Sequence, residues 1–422
     1  MTDQGGDHGC CSDGVVVTGM GAVTCCGVGV AALWDAVLAG RPGGVWLETD
    51  RGRWAACPVG VERFGIEDHA ALRRQDRHVV LGAVAALEAA GQAGLRRDGG
   101  DGAGCDPGLG VVWGTSRGPM GVWEQVWGDA HAGRRPRPGL VPAGTLATGA
   151  GALSVLLGAG GAGMAVSAAC ASGAHAIATG AMLIRSGACD VVVAGASDAV
   201  LSGITMAQFE AAGLLAGGED PARVCRPFDA RRNGTVFGEG AGAVVLERES
   251  HARRRGAGVL ARVLGWGLSA DACGRIDPDP SGSGLERAVR ASMAMAGVGA
   301  GGVVYVNLHG TGTRANDACE AGVMTRVFGG AGSGAGGCAG PWVGSTKGVT
   351  GHCVGATAAI EAIVAIEAIR RGIAPASANL EDPDPALDAR FVVGDARAIG
   401  GGAAMSISAG FWGLNACLVF GG

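Results

Sequence analysis

The sequence MAVSAACASG, which spans Met164–Gly173, joins a short strand to a helix through a cysteine. The residues Met164–Ala168 predict a buried strand, and the small residues after Cys170 predict a helix that continues to about Ser186. A cysteine at the turn between them lies near the helix N-terminus, where free N–H groups and the helix dipole favour a thiolate. The chain has fourteen cysteines, so a buried structural cysteine is the competing interpretation of Cys170.

Strands and helices alternate along the rest of the chain. Continuous apolar runs bounded by glycine predict buried strands, and apolar residues at helical spacing predict helices, so the order predicts α/β layers around a mostly buried sheet. The Gly/Ala-rich segment Gly329–Gly340 is the predicted flexible insertion. The other predicted strands are Val15–Gly21, Gly110–Gly114, Asp190–Gly195, Val259–Leu268, Val303–Leu308, Ala404–Ser408 and Ala416–Phe420. The other predicted helices are Ala31–Ala39, Val79–Ala93, Leu285–Ala296, Asp317–Val327 and Ala356–Ile369.

The composition is that of a large folded protein with free thiols. Of 422 residues, 48% are hydrophobic and 17% are charged, which allows a sizeable core and excludes extensive disorder. The net charge of -5 argues against nucleic acid as the main partner. The cysteines include no CxxC pair and no metal-finger spacing, and residues 1–13 are too polar and acidic for a secretory signal. A cytoplasmic protein is therefore predicted.

One uncharged stretch, Pro138–Ile184, is long enough to cross a bilayer. It is dominated by glycine and alanine, however, and polar residues such as Thr148, Ser167 and His175 interrupt it. A buried helix–strand–helix run explains this pattern better than a membrane span does, so we predict no membrane association.

The chain contains a single lysine, Lys347, among 33 basic residues, in the sequence STKGVTGH (345–352). A planar, permanently charged arginine cannot replace a compact ammonium at a tight site. Chance retention of one lysine is the competing interpretation. The histidine that ends this sequence, His352, favours a functional role instead.

A second histidine lies in another Gly/Thr-rich turn. His309 opens the sequence HGTGT (309–313) directly after a predicted strand, and α/β active sites collect at the carboxyl ends of strands. Thr311 and Thr313 could hydrogen-bond an extended polar ligand. A lone histidine is usually a core residue, but two in such turns, together with Cys170, predict an enzyme.

Taken together, these motifs resemble the β-ketoacyl synthase family. The resemblance covers nearly the whole chain, in order, and several spaced motifs carry it. They are Val17–Gly21, Ala169–Gly173, Pro227–Asp229, Arg232–Gly234, Gly238–Gly242, His309–Thr313 with Asn316, Asp317 and Glu320, Lys347–His352 and Gly410–Gly413.

The resemblance implies an α/β fold of the thiolase-like, five-layered αβαβα type, made of two similar halves. We expect a polar tail at residues 1–13, a first half at 14–258 that carries the nucleophile Cys170, and a second half at 259–422. The second half would carry His309, His352 and Lys347.

The same resemblance implies the activity of an acyltransferase, a β-ketoacyl-[acyl-carrier-protein] synthase of type II polyketide or fatty-acid synthesis. Cys170 would take an acyl group as a thioester. His309 and His352 would assist decarboxylation of a malonyl-type extender and stabilise the enolate. The backbone N–H groups of Cys170 and Phe411 would form the oxyanion hole, with Phe411 also acting as a gate.

Other residues would support this site. Lys347 would pair with Glu320 and hold the histidines, and Thr311 and Thr313 would contact the pantetheine arm. Trp123 aligns with the far end of the acyl pocket at a dimer interface, which predicts short or slim acyl chains. An ordinary buried tryptophan is the competing interpretation of Trp123.

The last motif departs from the family pattern, because Trp412 replaces a glycine beside the oxyanion hole and Leu414 removes a hydroxyl. A tryptophan there would narrow the pocket, restrict the Phe411 gate or abolish turnover. Two alternatives therefore stay open: a non-condensing partner subunit of the chain-length-factor type, and a thiolase-fold acyltransferase or hydrolase that works without decarboxylation.

The expected partners are an acyl carrier protein and a second subunit, in a homodimer or in a heterodimer with a related synthase. No cofactor is expected, since the substrates arrive on the phosphopantetheine of the carrier. No metal is expected either, because Cys170, His309 and His352 lack a zinc-ligand spacing. Three arginine clusters are candidates for docking an acidic carrier: Arg73–Arg74, Arg134–Arg135 with Arg137, and Arg253–Arg255.

Overall fold

The computed structural model describes residues 13–95, 105–135, 137–273, 277–329 and 340–422. Apart from Asp13, the predicted tail at residues 1–13 lies outside the described residues, and so does the predicted insertion between Gly329 and Gly340. The strands are β1 Val15–Thr24, β2 Gly27–Val28, β3 Val45–Thr49, β4 Gly52–Cys57, β5 Leu109–Gly114, β6 Gly163–Val166, β7 Val191–Asp198, β8 Phe237–Gly238, β9 Gly240–Arg248, β10 Ala261–Ala270, β11 Val303–Asn307, β12 Trp342–Gly344, β13 Ile373–Ala374, β14 Arg397–Ala398, β15 Ala403–Gly410 and β16 Leu414–Gly421. The helices are α1 Val30–Leu38, α2 Arg77–Gln92, α3 Met120–His131, α4 Leu140–Ala143, α5 Thr148–Leu157, α6 Ser172–Arg185, α7 Gly203–Ala211, α8 Glu249–Arg254, α9 Ser283–Ala296, α10 Arg314–Phe328, α11 Lys347–Thr350 and α12 Thr357–Arg371.

Ten of these strands form two sheets of five with the same topology. In the first, the order is β6-β5-β7-β9-β1, with β1 and β7 antiparallel to β9 and with β5 parallel to both β7 and β6. In the second, the order is β12-β11-β15-β16-β10, and the directions repeat strand for strand. The antiparallel pair β1–β10 joins the two sheets edge to edge. This arrangement confirms the prediction of two similar halves.

Helices complete five layers around the two sheets. Helices α6 and α12 contact each other in the middle layer, where α6 packs on β7 and α12 packs on both β15 and β9. Helices α2 and α5 cover the outer face of the first sheet, and α9 with α10 covers that of the second. The five-layered αβαβα prediction is therefore confirmed.

The sequence of α12 explains its central position. Every residue of the run Thr357–Ala368 is buried, as expected for a helix that is apolar on all sides. The uncharged stretch Pro138–Ile184 forms α4, α5, β6 and most of α6, which confirms the helix–strand–helix prediction. The prediction that its strand is buried is wrong, because β6 is exposed at the edge of the first sheet. Among the helices of the described ranges, none combines the length and the apolar character needed to cross a membrane.

The predicted elements are present, with boundaries shifted by one to three residues at most ends. The elements that were not predicted from the sequence include the buried strand β9, the short strand β12, the β3–β4 hairpin and helices α3 and α7. The hairpin and the two helices are partly exposed, so their apolar residues do not follow a clear period. Strand β9 is buried along nearly its whole length, and its first residues were interpreted only as part of a family motif.

Close contact between α12 and the first sheet depends on glycine. A Cβ added at Gly242 of β9 would lie 2.7 Å from the backbone nitrogen of Ile360 and 2.8 Å from the carbonyl carbon of Ala359. These are backbone atoms of α12, so no side-chain rotation can relieve the contact.

We predict that Gly242→Ala lowers the free energy of unfolding by about 1–3 kcal/mol, because it overpacks the middle layer. The matched control is Gly91→Ala in α2, where an added Cβ meets no atom within 4 Å and alanine is the better helix former by roughly 0.5–1 kcal/mol. Urea unfolding followed by circular dichroism measures both. Equal stability of the two variants would contradict this account of the middle layer.

Candidate active site

Cys170 lies in a tight turn between β6 and α6. Ala169 adopts a φ of 48°, a left-handed conformation that is unusual for a residue with a Cβ. Ser172 closes the turn: its Oγ accepts from the backbone N–H of Ala168 at 2.9 Å and donates to the carbonyl of Ala169 at 2.6 Å. The predicted strand–cysteine–helix arrangement is therefore present, and it fixes the position of the thiol.

The two histidines reach this thiol from the second half of the chain. His309 follows β11, and His352 follows the short helix α11. The Nε2 atom of His352 lies 3.2 Å from Sγ of Cys170. The rings of His309 and His352 meet edge to face, with centroids 5.2 Å apart at 85°. Three residues that are far apart in sequence are thus brought into one cluster.

Lys347 is fully buried beside His309, but its carboxylate partner is not the predicted one. Its Nζ donates to Oε1 of Glu361 at 2.7 Å and to the carbonyl of His309, and it lies 3.3 Å from Nδ1 of His309. Glu361 stands on α12 and is also fully buried. The prediction of a Lys347–Glu320 ion pair is therefore wrong.

Glu320 instead holds the backbone of the HGTGT turn. Its carboxylate accepts from the N–H groups of His309 and Gly310, both at 2.6 Å, and from Nδ2 of Asn316 at 2.8 Å. Both glutamates are buried near the histidines, and only the folded backbone decides which one faces the lysine. Glu320 thus acts through the turn that carries His309.

Glu361 belongs to this site but was not predicted from the sequence. It lies four residues after Thr357 in a helix whose neighbouring positions are all apolar and buried. An acidic side chain enclosed in this way needs a cation, and the chain offers a single lysine. An acid inside an apolar helix pattern, in a chain with one lysine, was the sequence feature that could have predicted the Lys347–Glu361 pair.

Burial controls the protonation of all three cluster residues. Burial raises the pKa of the Cys170 thiol to about 12, and the positive charge of Lys347 opposes this only in part. The thiolate expected at the helix N-terminus is therefore not the resting state. Burial, reinforced by Lys347, lowers the pKa of both His309 and His352. The cluster rests as a thiol with two neutral imidazoles.

The hydrogen bonds of the imidazoles determine what they can donate. An ammonium only donates, so Lys347 beside Nδ1 of His309 places the ring proton on Nε2. Nδ1 of His352 lies 3.0 Å from Oγ1 of Thr357, which leaves Nε2 to face the sulfur. Neutral N–H groups in a buried site stabilise a developing oxyanion without a change of net charge.

The two threonines predicted to contact pantetheine lie side by side. Oγ1 of Thr311 is 2.8 Å from Oγ1 of Thr313. Asp317 anchors the turn from behind, since it accepts from the backbone N–H of Gly312 at 3.2 Å and from that of Phe228 at 2.7 Å. The turn is therefore rigid, and the proposed pantetheine contact stays a prediction.

Phe411 and Trp412 follow β15 at the same site. The backbone N–H of Phe411 hydrogen-bonds the sulfur of Cys170 and lowers the pKa of that thiol, which fits the predicted oxyanion position. Trp412 has a φ of 64°, a conformation that costs an L-residue about 1–2 kcal/mol. Its side chain is 63% exposed, so in this conformation most of the ring faces solvent rather than the buried cysteine.

Trp123 is also exposed rather than buried. Its side chain is 44% exposed, and its Nε1–H donates to the carbonyl of Gly144 at 3.0 Å. The interpretation as an ordinary buried tryptophan is therefore wrong. Its proposed role at the end of an acyl pocket between subunits stays a prediction.

Metal ligation is geometrically conceivable here. The ligand atoms of Cys170, His309 and His352 lie within 4.8 Å of one another. The ammonium of Lys347 next to His309 disfavours a divalent cation by direct repulsion. The absence of a metal remains a prediction, supported by that charge.

Two family models cover most of the chain. The β-ketoacyl synthase N-terminal domain matches residues 12–252, and the β-ketoacyl synthase C-terminal domain matches residues 260–381. The thiolase-type fold agrees with these matches. The chain belongs to the β-ketoacyl synthase family and is accordingly a ketosynthase, an enzyme of the acyltransferase class.

Curated relatives match along the full length. Nodulation protein E of Rhizobium sp. (strain N33) is 36% identical over 416 residues, which is 96% of this chain and 98% of that protein. A 3-oxoacyl-[acyl-carrier-protein] synthase 2 of Vibrio cholerae is 35% identical over 416 residues, with the same shares covered.

Solved structures agree with this assignment. A type II polyketide ketosynthase in complex with its acyl-carrier protein has a TM-score of 0.85 at 26% identity, covering 97% of this chain and 99% of that one. The ishigamide ketosynthase/chain length factor has a TM-score of 0.86 at 29% identity, covering 97% and 99%.

We predict that Glu361→Gln lowers the free energy of unfolding by about 3–5 kcal/mol, because it leaves the buried Lys347 without a countercharge. Glu361→Leu combined with Lys347→Met should recover much of this loss. Glu367→Gln on the same helix is the control, since its partners Arg370 and Arg371 are partly exposed, and it should cost about 1 kcal/mol or less. Urea unfolding measures all four proteins, and a loss in Glu361→Gln no larger than in the control would refute the pairing.

Proposed function

We propose that the chain catalyses decarboxylative Claisen condensation between an acyl thioester and a malonyl-type extender, with the acyl group held on Cys170. The observation that carries this proposal is the buried thiol 3.2 Å from a neutral imidazole, with a second neutral imidazole beside it. This cluster supplies a nucleophile, a base and N–H donors in one water-poor site.

The first step is acyl transfer. As Sγ of Cys170 attacks the thioester carbonyl, Nε2 of His352 takes the thiol proton. The backbone N–H groups of Cys170 and Phe411 bind the oxyanion. The bond from the carbonyl carbon to the carrier sulfur then breaks, and the carrier thiol leaves with that proton, so His352 returns to its neutral form.

The second step is decarboxylation and condensation. The Nε2–H group of His309 hydrogen-bonds the thioester oxygen of the extender. His352 becomes a second donor in the tautomer that carries its proton on Nε2, with the hydroxyl of Thr357 then donating to Nδ1. These bonds stabilise the enolate that forms when carbon dioxide departs. The enolate carbon attacks the acyl carbonyl on Cys170, which forms the new carbon–carbon bond and breaks the carbon–sulfur bond. Cys170 leaves as a thiolate and takes up one proton from solvent, which restores the resting thiol. Because burial, reinforced by Lys347, keeps the histidines neutral, they remain donors that do not protonate the enolate carbon.

Carrier docking is best supported at one arginine-lined cavity. Arg74 and Arg137, from two of the three basic clusters, line a cavity of about 280 Å³, and neither has a carboxylate partner within the described residues. The third cluster is largely neutralised, since Arg253 pairs with Glu249 and Arg255 pairs with Glu247. An acidic acyl carrier protein would therefore find more uncompensated positive charge at the first site.

A second subunit is supported by the free edge of the first sheet. Strand β6 pairs with β5 on one side, and its residues Gly163–Ala165 are exposed. Nearby apolar side chains are also exposed, with Met164 at 43% and Val155 at 68%. An uncovered edge with an apolar border favours pairing with another chain. The partner would be a copy of this chain or a related synthase subunit.

A non-condensing role, as in a chain-length-factor subunit, is the second candidate. The strained and exposed Trp412 beside the oxyanion position favours it. The complete Cys-His-His cluster favours the condensing role more strongly, because such a subunit has no use for a positioned nucleophile.

We predict that incubation with an acyl-loaded carrier protein adds the mass of the acyl group to the wild-type chain. Cys170→Ala should show no gain, since Cys170 is the described cysteine whose sulfur contacts a histidine nitrogen, whereas the sulfur of Cys353 donates to backbone carbonyls instead. Intact-protein mass spectrometry is the measurement. If several acyl chains leave the wild-type mass unchanged, the condensing proposal fails and the partner-subunit role takes its place.

We predict that Met164→Lys shifts the chain from dimer to monomer, because it places a charge on the exposed strand edge. Met182→Lys, on the exposed face of α6 and at similar exposure, is the control and should leave the assembly unchanged. Sedimentation velocity at micromolar concentration measures the state. A monomeric wild type, both alone and with related synthase subunits, would contradict the interface.

A further inference from the structure

An arginine lies on the same aromatic stack as the catalytic histidine. Arg117 follows β5, and its Cζ lies 5.1 Å from the ring centroid of Phe209. Phe209 stacks on Phe237 with centroids 3.7 Å apart, and Phe237 stacks on His352 at 5.5 Å. A positive charge is therefore placed two aromatic rings away from the active-site imidazole.

The backbone around Arg117 is firmly held. Its N–H donates to Oδ1 of Asp198 at 3.0 Å. Asp198 is fully buried and also accepts from Oγ1 of Thr115 at 2.8 Å and from the N–H of Gly355 at 2.9 Å. Gly355 lies three residues after His352, so one carboxylate ties the Arg117 loop to the loop of the catalytic histidine. The backbone of Arg117 is thus fixed relative to the loop of the catalytic histidine.

The guanidinium itself has no anionic partner within the described residues. Its only described contact is the ring of Phe209, and the residue is half-buried. Leaving a partly desolvated cation without an anion is unfavourable unless a ligand supplies one. By comparison, most arginines of the chain that are similarly buried pair with carboxylates, as Arg77 does with Glu239.

The ring that Arg117 covers belongs to the apolar cluster that contains Cys170. Phe209 and Cys170 belong to one apolar cluster with Val200, Met206 and Phe237. The charge of Arg117 also lowers the pKa of the Cys170 thiol, against the effect of burial. An acyl chain attached to Cys170 and packed in this cluster therefore extends within the field of the guanidinium.

We propose that Arg117 selects acyl groups that carry a further oxygen, either a carboxylate or a keto group, over fully reduced alkyl chains of the same length. This proposal rests on the proposed function and specifies its substrate class. A carboxylate fits the guanidinium fork best, because two N–H donors bind its two oxygens in parallel. A keto oxygen accepts one such bond. An alkyl chain accepts none and leaves the cation desolvated, which costs binding energy.

The test compares three pantetheine thioesters of similar length: hexanoyl, 3-oxohexanoyl and glutaryl. Pantetheine replaces the carrier protein so that docking does not influence the comparison. The rate of acyl addition to Cys170 is followed by mass spectrometry of the wild type and of Arg117→Leu and Arg117→Lys. Arg185→Leu is the matched control, because Arg185 also lies over an aromatic ring, that of Trp266, but outside the apolar cluster of Cys170.

The wild type and the control should acylate with glutaryl and 3-oxohexanoyl at least about tenfold faster than with hexanoyl, the value of one charge-assisted hydrogen bond. Arg117→Leu should reverse this order. Arg117→Lys should keep a weaker preference for glutaryl, which preserves the test if the leucine variant does not fold.

Other outcomes overturn the proposal in distinguishable ways. An unchanged chain preference in Arg117→Leu, with normal acylation of Cys170, rejects the role of Arg117 and leaves the proposed function intact. Loss of dimer with the same chain preference assigns the arginine to a subunit interface instead. Failure of every thioester to acylate the wild type rejects the proposed function itself.

Discussion

The buried ion pair between Lys347 and Glu361 is the interaction on which the active site depends. A cation with no exposed surface is stable only beside a carboxylate and hydrogen-bond acceptors, and the chain provides Glu361 on α12 and the carbonyl of His309. The ammonium in turn lowers the pKa of both histidines and opposes the rise in the pKa of Cys170. One charge thereby influences the protonation of three reacting groups. Burial is the largest cause of each pKa shift. The charge of Lys347 has a strong effect because water is excluded from the site and cannot screen it.

The active site collects at equivalent places in the two halves. Strands β5 and β6 pair in parallel in the first sheet, as β11 and β12 do in the second. The loops that follow these four strands carry Arg117, Cys170, His309 and His352 respectively. Helices α6 and α12, which follow the cysteine and His352, pack against each other in the middle layer. The distance between thiol and imidazole therefore depends on how closely two helices approach, and glycines such as Gly173 permit that approach. A Cβ at Gly173 would lie 2.6 Å from the backbone nitrogen of Ala359.

Short sequence motifs predicted those parts of the structure that depend on residues close together in the chain. The strand–cysteine–helix turn, the Gly/Thr turn of His309 and the apolar helix α12 all follow from short-range order, and the family resemblance supplied the two-halved fold. The pairing of Lys347 with Glu361 rather than Glu320 did not follow, because two buried acids compete and the backbone alone decides between them. The thiol state of Cys170 was also missed, since the degree of burial is a property of the whole fold. Trp412 and Trp123 show the same limit, because side-chain exposure depends on the surface around each ring.

The edge-to-edge pair β1–β10 has a consequence for the history of the chain. Val15 pairs with Val263 and Val17 pairs with Ala261 across strands that open the two halves, and the same strand order extends away from both sides of this seam. Such an arrangement is what fusion of two copies of one ancestral gene produces when the copies had first met as a symmetric pair. Before fusion, each copy would have carried an equivalent loop at each site. After fusion the loops were free to diverge, so that one became the nucleophile's turn and its counterpart became the turn of a proton donor.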